Sequence, residues 1–290
     1  MIESEMRFII YTINNLIMFG NNWLRVVLTV KKALLDVLFA SEKRKKVLLF
    51  LKSGPKEMEI ILEYLNTTRQ ALLPQIRILE EHHLILHYDD TYELTKIGKL
   101  IVDEMIPLLS TVEVLDIDVD YWGTRKLDFI PSHLLKRLDE LGVCKKINPT
   151  IQEMYEIHDE FYEVSKKSTS HFAITAAFHP HFPRLFHELI SNNVHIHVIM
   201  SSGLFDKLRT DNYIDLAELV NNKLVHFFVH HGKMDFLSFM HNDYCLMMSP
   251  LREDGEFDNK HIRCCNPDAL LWGKELFEYY QNISVPVIEM

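Results

Sequence analysis

At 290 residues and 48% hydrophobic, the chain is long enough to bury two cores. Its formal charge of −10 argues against a nucleic-acid partner only until it is divided along the chain. Residues 31–111 hold 12 Lys and Arg against 12 Asp and Glu, while residues 112–290 hold 17 against 27, so the first part is neutral and the whole excess lies in the second. The four cysteines, Cys144, Cys245, Cys264 and Cys265, are too few for a disulfide framework at this length and point to a reducing, cytoplasmic setting.

The stretch Phe8–Val30 is apolar, but Asn14-Asn15, Asn21-Asn22 and Arg25 interrupt it, so no membrane span is expected. Glu3 and Glu5 stand where a signal peptide needs positive charge. Residues 1–30 therefore read as an N-terminal extension or a misassigned start. Apolar pairs at helical spacing predict helix over 31–52, broken near Ser41 and stopped by Ser53-Gly54-Pro55. Met58, Ile61, Leu62 and Leu65 predict a second helix from Lys56 to Leu65, and after the turn Asn66-Thr67, Thr68 caps a third that runs to about Glu81. Leu84–Tyr88 and Tyr92–Leu94 alternate about Asp89-Asp90 as a hairpin, and Thr95 caps a fourth helix to about Leu115. Helices joined by a short turn and followed by a hairpin give a winged helix-turn-helix over 31–115.

A linker is expected over 116–130, ending at Pro131. The remainder, 131–290, predicts strands at His171–Phe178, Val194–Ser201, Lys223–His230, Asp235–His241, Tyr244–Ser249 and His261–Cys264. Helices are expected at Pro183–Ser191, Tyr213–Asn221 and Pro267–Asn282. This order suggests βαβ units before an antiparallel run, so the fold class expected is α+β, a winged helix-turn-helix followed by a mixed α/β regulatory domain.

Leu65-Asn66-Thr67-Thr68, Leu72, Ile76, Leu79-Glu80-Glu81 and Tyr92-Glu93-Leu94-Thr95-x-x-Gly98 resemble the recognition helix and wing of bacterial and archaeal winged-helix repressors. The stretches 35–45, Ile130–Leu135, Phe178–Pro183 and Ala269–Tyr280 resemble a narrower group. These are the winged-helix regulators of methanogenic archaea that carry a methanogenesis-regulator sensor domain. The resemblance implies sequence-specific binding of double-stranded DNA as a homodimer, a small-molecule effector site in the C-terminal half, and no catalysis or cofactor. Two features depart from the group: the wing tip Asp89-Asp90 is acidic where a phosphate contact wants Lys or Arg, and Pro74 lies inside the third helix, where a kink is expected.

A recognition helix reads base edges from its N-terminal side chains, here Thr68, Arg69, Gln70, Gln75 and Arg77; Arg suits guanine and Gln suits adenine. Lys43 and Arg44 suit phosphate contacts. An ordinary polar helix face is the bland reading of both sets. His133, Phe178, His179, His181 and Phe182, together with Trp272, are effector-pocket candidates from the shared stretches, although such aromatics more often fill a core. His179-x-His181, His195-x-His197 and Cys264-Cys265 raise a metal-responsive alternative, but no metal-ligand spacing accompanies them and no metal site is assigned. His231-Gly232-Lys233 echoes an H-x-K phosphodiesterase motif, yet position 238 is Ser where that motif needs Asp. A protein-interaction adaptor built on a winged helix is the other alternative, favoured by the neutral charge of 31–111.

Overall fold

The computed structural model describes residues 33–149, 159–177, 179, 181–211 and 213–289. The expected N-terminal extension and Phe178 lie outside them. The chain divides into two compact units, one ending at Lys99 and the other beginning at Leu100.

The first unit has helices α1 (Leu34–Phe39) and α2 (Glu42–Leu51), strand β1 (Lys56–Glu57), helices α3 (Met58–Leu65) and α4 (Arg69–Glu81), then strands β2 (Ile85–Tyr88) and β3 (Thr91–Leu94). Helix is expected from Lys56, but Lys56 and Glu57 are extended and pair with Tyr92 and Thr91, adding a third strand to the hairpin in the order β1-β3-β2. Caps set the helix boundaries. Ser41 and Thr68 accept from the N–H groups of Arg44 and Ala71, and Asn66 ends α3 in the left-handed region at φ 45°. Pro74 is exposed, and α4 runs through it unbroken. The apolar stripes meet in one core that includes Val47, Leu48, Leu51, Met58, Ile61, Leu72, Ile76 and Leu79. Thr95 Oγ1 accepts from Gly98 N at 2.9 Å and donates to His83 O at 2.6 Å, starting helix α5 (Lys96–Asp116). A Cβ on Gly98 would stand 2.0 Å from Leu84 O, so only glycine fits where α5 crosses the strand end.

The second unit is built on an eight-stranded mixed sheet. Its strands are β4 (Cys144–Ile147), β5 (Ser170–Thr175), β6 (His195–Ser201), β7 (Val225–His230), β8 (Phe236–Asn242), β9 (Leu246–Pro250), β10 (His261–Cys264) and β11 (Val285–Pro286), in the order β11-β7-β6-β5-β8-β9-β10-β4. Strands β5, β6 and β7 are parallel, joined through helices at Phe182–Ser191 and at Ser202–Asp211 with Tyr213–Val220; the other pairings are antiparallel. This is the expected sequence of βαβ units followed by an antiparallel run. Alternate residues of the strands feed two cores: Ala173, Val198 and Phe227 pack on the face of the crossover helices, while Phe172, Ile174, Ile199 and Phe228 face the core of helix Pro267–Asn282.

The expected linker is instead packed into this unit. Tyr121, Trp122, Phe129 and Ile130 are buried, Trp122 Nε1 donates to Val114 O at 3.0 Å, and the Arg125 guanidinium forms a two-bond fork with Asp258 at 2.8 and 2.6 Å. Hydrophobic residues spaced through an acidic segment gave it the look of a connector. All four cysteines are also bonded, against expectation. Cys264 faces Cys144 directly across the β10–β4 pairing and bonds to it, and Cys265 bonds to Cys245 just before β9. A count of cysteines says nothing about register, and register is what places each pair within reach.

Candidate nucleic-acid interface and ligand cavity

Along α4, Arg69, Gln70 and Arg77 are exposed, and Thr68 spends its hydroxyl on the helix cap. Two expected DNA contacts turn inward. Arg44 is 4% exposed and its guanidinium donates to Val37 O at 2.6 Å, to Asp36 O at 2.8 Å and to Gln75 Oε1 at 2.6 Å. Gln75 Oε1 also accepts from Ser41 Oγ at 3.2 Å, so Arg44 and Gln75 are internal braces between the first helices and α4, and neither presents its polar group to a duplex. Sequence periodicity could not separate them from their exposed neighbours, because a polar face reads the same whether it meets water or an adjacent helix. Lys43 is half-buried and Lys46 exposed.

The acidic wing tip meets the recognition helix. Arg69 Nη2 lies 2.6 Å from both carboxylate oxygens of Asp90, with both side chains about half exposed. Asp89 sits at φ 54° in the tight turn, and the Asp90 carbonyl accepts from Met58 N at 3.0 Å. Half of the acidity that seemed to oppose DNA is thus neutralised by the arginine expected to read it.

The effector candidates scatter. Trp272 is fully buried and donates from Nε1 to Leu134 O at 3.0 Å, which makes it a core tie. His133 is exposed beside Tyr279, with ring centroids 6.5 Å apart. The rings of His179 and His181 are 5.4 Å apart, with His179 held below its ordinary pKa by burial and by its neighbour. Of the described candidates, only Phe182 lines the apolar cavity that lies between the sheet and its crossover helices.

That cavity, about 310 Å³, opens between the sheet and the helices 182–191, 202–211 and 213–220. Its floor is apolar, from Ala173, Val198, Met200, Phe227 and Met240; its mouth carries the exposed His187 and Glu218. His171 also lines it, 1% exposed, with burial lowering its pKa to about 4. Sequence reading missed this histidine because it stands inside an ordinary-looking strand with no motif around it.

On the opposite sheet face, His226, His197, Phe172 and His241 stack ring on ring across four strands, with centroids 4.7, 4.8 and 4.4 Å apart. Burial lowers His197 to about 4 and His241 to about 3, so both are neutral at neutral pH. The His195-x-His197 pair therefore belongs to a stacked row. Among the described residues no group of three or more His, Cys, Asp or Glu is placed to hold a metal ion, and Cys264 and Cys265 are bonded. No helix among the described residues is long and apolar enough to cross a membrane.

Helices α2, α3 and α4 with the three-stranded sheet and its hairpin wing define the first unit as a winged helix-turn-helix, and the long helix α5 follows it. Residues 32–113 match the family described as the N-terminal domain of the methanogenesis regulatory protein FilR1, and residues 154–283 match that protein's middle domain. The chain belongs to this family of archaeal regulators. The FilR1 protein of Methanothrix harundinacea (strain 6Ac) is 24% identical over 254 residues, 86% of this chain and 56% of that protein, so the chain spans little more than half the length of this curated relative. Among solved structures, TrmBL2, described as an archaeal chromatin protein with a novel mode of DNA binding, is 12% identical over 84% of this chain and 93% of its own, at a TM-score of 0.39. The dimethyltransferase RosA of Streptomyces davawensis is 11% identical over 79% and 67%, at 0.24. Neither superposition is close enough to bear on function.

Proposed function

We propose that the chain is a DNA-binding transcription regulator whose second unit responds to a small-molecule effector. The observation that carries this reading is the recognition helix itself, which presents Arg69, Gln70 and Arg77 outward beside a wing. The apolar cavity in the second unit supports the effector half, and the mechanism is a population shift between two arrangements that the ligand favours unequally. We read the regulator as a homodimer: Leu100, Leu108 and Val112 on α5 are 66, 52 and 48% exposed, and a second copy would cover them while matching a two-fold operator. This reading assigns no catalysis and no cofactor; at the H-x-K stretch, Lys233 pairs with Asp235 at 2.7 Å and Ser238 meets Ser249 at 3.4 Å, where that motif would need an acid.

A gel shift on the DNA upstream of the chain's own gene tests the reading. A band that survives excess random duplex supports it. Folded protein that shifts no DNA would overturn it in favour of the protein-interaction adaptor.

A further inference from the structure

We propose that the cavity between the sheet and helices 182–191, 202–211 and 213–220 takes a neutral, largely apolar small molecule with one hydrogen-bond donor, such as a medium-chain alcohol. The inference rests on the effector reading for its purpose, but its geometry stands on the second unit alone.

The walls decide most of the chemistry. A volume of about 310 Å³ lies at the small end of ligand sites, which run to about 1,000 Å³, and the floor residues offer only carbon and thioether surface. Polar groups on the wall are mostly spent. Thr175 Oγ1 donates to Ala177 O at 2.7 Å and accepts from Ala177 N at 3.2 Å, and Asn222 Oδ1 accepts from Leu224 N at 2.9 Å. No Lys or Arg among the described residues lines the cavity. The basic group of helix 182–191, Arg184, pairs with Glu188 at 2.9 Å, and Glu218 puts a carboxylate at the mouth. An anionic head would be desolvated there without a counter-charge.

His171 supplies the one polar demand. The Ser165 hydroxyl donates its single proton to Phe161 O at 2.9 Å and accepts from Asn242 Nδ2 at 2.8 Å. Its contact with His171 Nδ1 at 3.3 Å is therefore made with the ring donating. Burial keeps the imidazole neutral, so Nε2 carries the lone pair, and no described protein group donates to it. The structure thus holds a fixed acceptor in an apolar chamber, and the occupant that satisfies it brings a donor and no charge.

The test uses the full chain and N-phenyl-1-naphthylamine, a neutral apolar fluorophore with one N–H. Binding should brighten it. At neutral pH, 1-decanol should displace it at a concentration about tenfold below that needed for decanoate, because an unpaired charge resists leaving water. The alcohol should also outcompete 1-methoxynonane, which lacks the donor, and His171→Phe should erase that lead. Ala173→Phe should fill the floor and abolish the signal; Val198→Phe serves if the first variant loses its folded circular dichroism. Decanoate binding as tightly as decanol would overturn the proposal, as would a folded, filled variant that still binds the probe, or His171→Phe keeping the preference. None of these measurements involves DNA. A ligand that binds as described and leaves the gel shift unchanged would remove the effector reading while the cavity assignment stands.

Discussion

Each unit buries an arginine, and the two are held by different partners. Arg44 in the first unit meets only neutral acceptors, two backbone carbonyls and the amide oxygen of Gln75. Arg125 in the second meets the Asp258 carboxylate through two parallel bonds and lies 4.3 Å from the Tyr121 ring. Hydrogen bonds from Arg125 and Lys260 outweigh the effect of burial and hold Asp258 down at about 2. The contrast shows how one residue type can serve opposite electrostatic ends. A guanidinium paired with a carboxylate contributes little field beyond its own pocket, whereas one held by carbonyls keeps its full charge inside the unit expected to face phosphates. On the proposed reading, Arg44 would favour DNA through the summed field without its side chain touching the duplex.

The units differ more bluntly in covalent bracing, and the largest expected effect follows from that. The unit ending at Lys99 has no cysteine, while the second unit is clasped by Cys144–Cys264, across 120 residues, and by Cys245–Cys265. On the chain-entropy account, opening the longer loop costs about 5 kcal/mol. Mild reduction should therefore raise hydrogen exchange throughout strands β4, β9 and β10 and leave α2–α4 unchanged. Equal effects in both units, or none, would break the comparison. Next in size is Arg44→Ala, which removes three hydrogen bonds from a buried guanidinium and takes from Val37 O its side-chain donor, and should cost the first unit about 3 kcal/mol in denaturant unfolding. Unchanged stability together with a shallower salt dependence of DNA binding would instead make Arg44 a phosphate contact.

Most elements of the first unit were legible, because each apolar stripe is short, regular and bounded by a capping residue: Thr68, Asn66 and Thr95 occupy the positions their side chains suit. Strand β1 was hidden by Lys56-Glu57, two charged residues with no apolar alternation, whose pairing with Tyr92 and Thr91 follows from backbone register. In the second unit the central strands announced themselves by β-branched and aromatic runs, but β4 was missed because Lys145 and Lys146 break its pattern, and helix 202–211 because Gly203 opens it. Site residues fared worse for a physical reason. The burial of Arg44, its bond to the half-buried Gln75, the depth of His171 and the bond from Trp272 to Leu134 all depend on what packs across the element, which periodicity along the element does not encode.

His171 gives the two faces of the second unit a measurable asymmetry with pH. Its folded pKa of about 4 lies below the ordinary 6.5, so between those values the unfolded chain binds the extra proton and folding loses ground. Stability is intact above about pH 6.5 and drains as pH falls toward 4, by about 3 kcal/mol from this residue. In His171→Phe the loss between pH 6.5 and 4 should shrink by that amount, leaving the part due to His197 and His241 on the other face. An identical acid profile in the variant would mean that His171 is hydrated in the folded protein.

The smallest effect concerns how the wing and the recognition helix share charge. Arg69→Ala should cost about 1–3 kcal/mol on the preferred operator, as loss of a bidentate guanine contact does. It also strips Asp90 of its partner, so a bare carboxylate at the wing tip repels every duplex, most at low salt where screening is weak. The two losses separate in the double variant Arg69→Ala with Asp90→Asn: binding to random DNA should recover fully, while preference at one base pair stays relaxed. Lys43→Ala provides the contrast, flattening the log–log salt dependence by about one unit for specific and random sequences alike. Should the double variant regain the operator affinity as well, Arg69 would be a charge-balancing residue for the wing, and sequence reading would pass to Gln70 and Arg77.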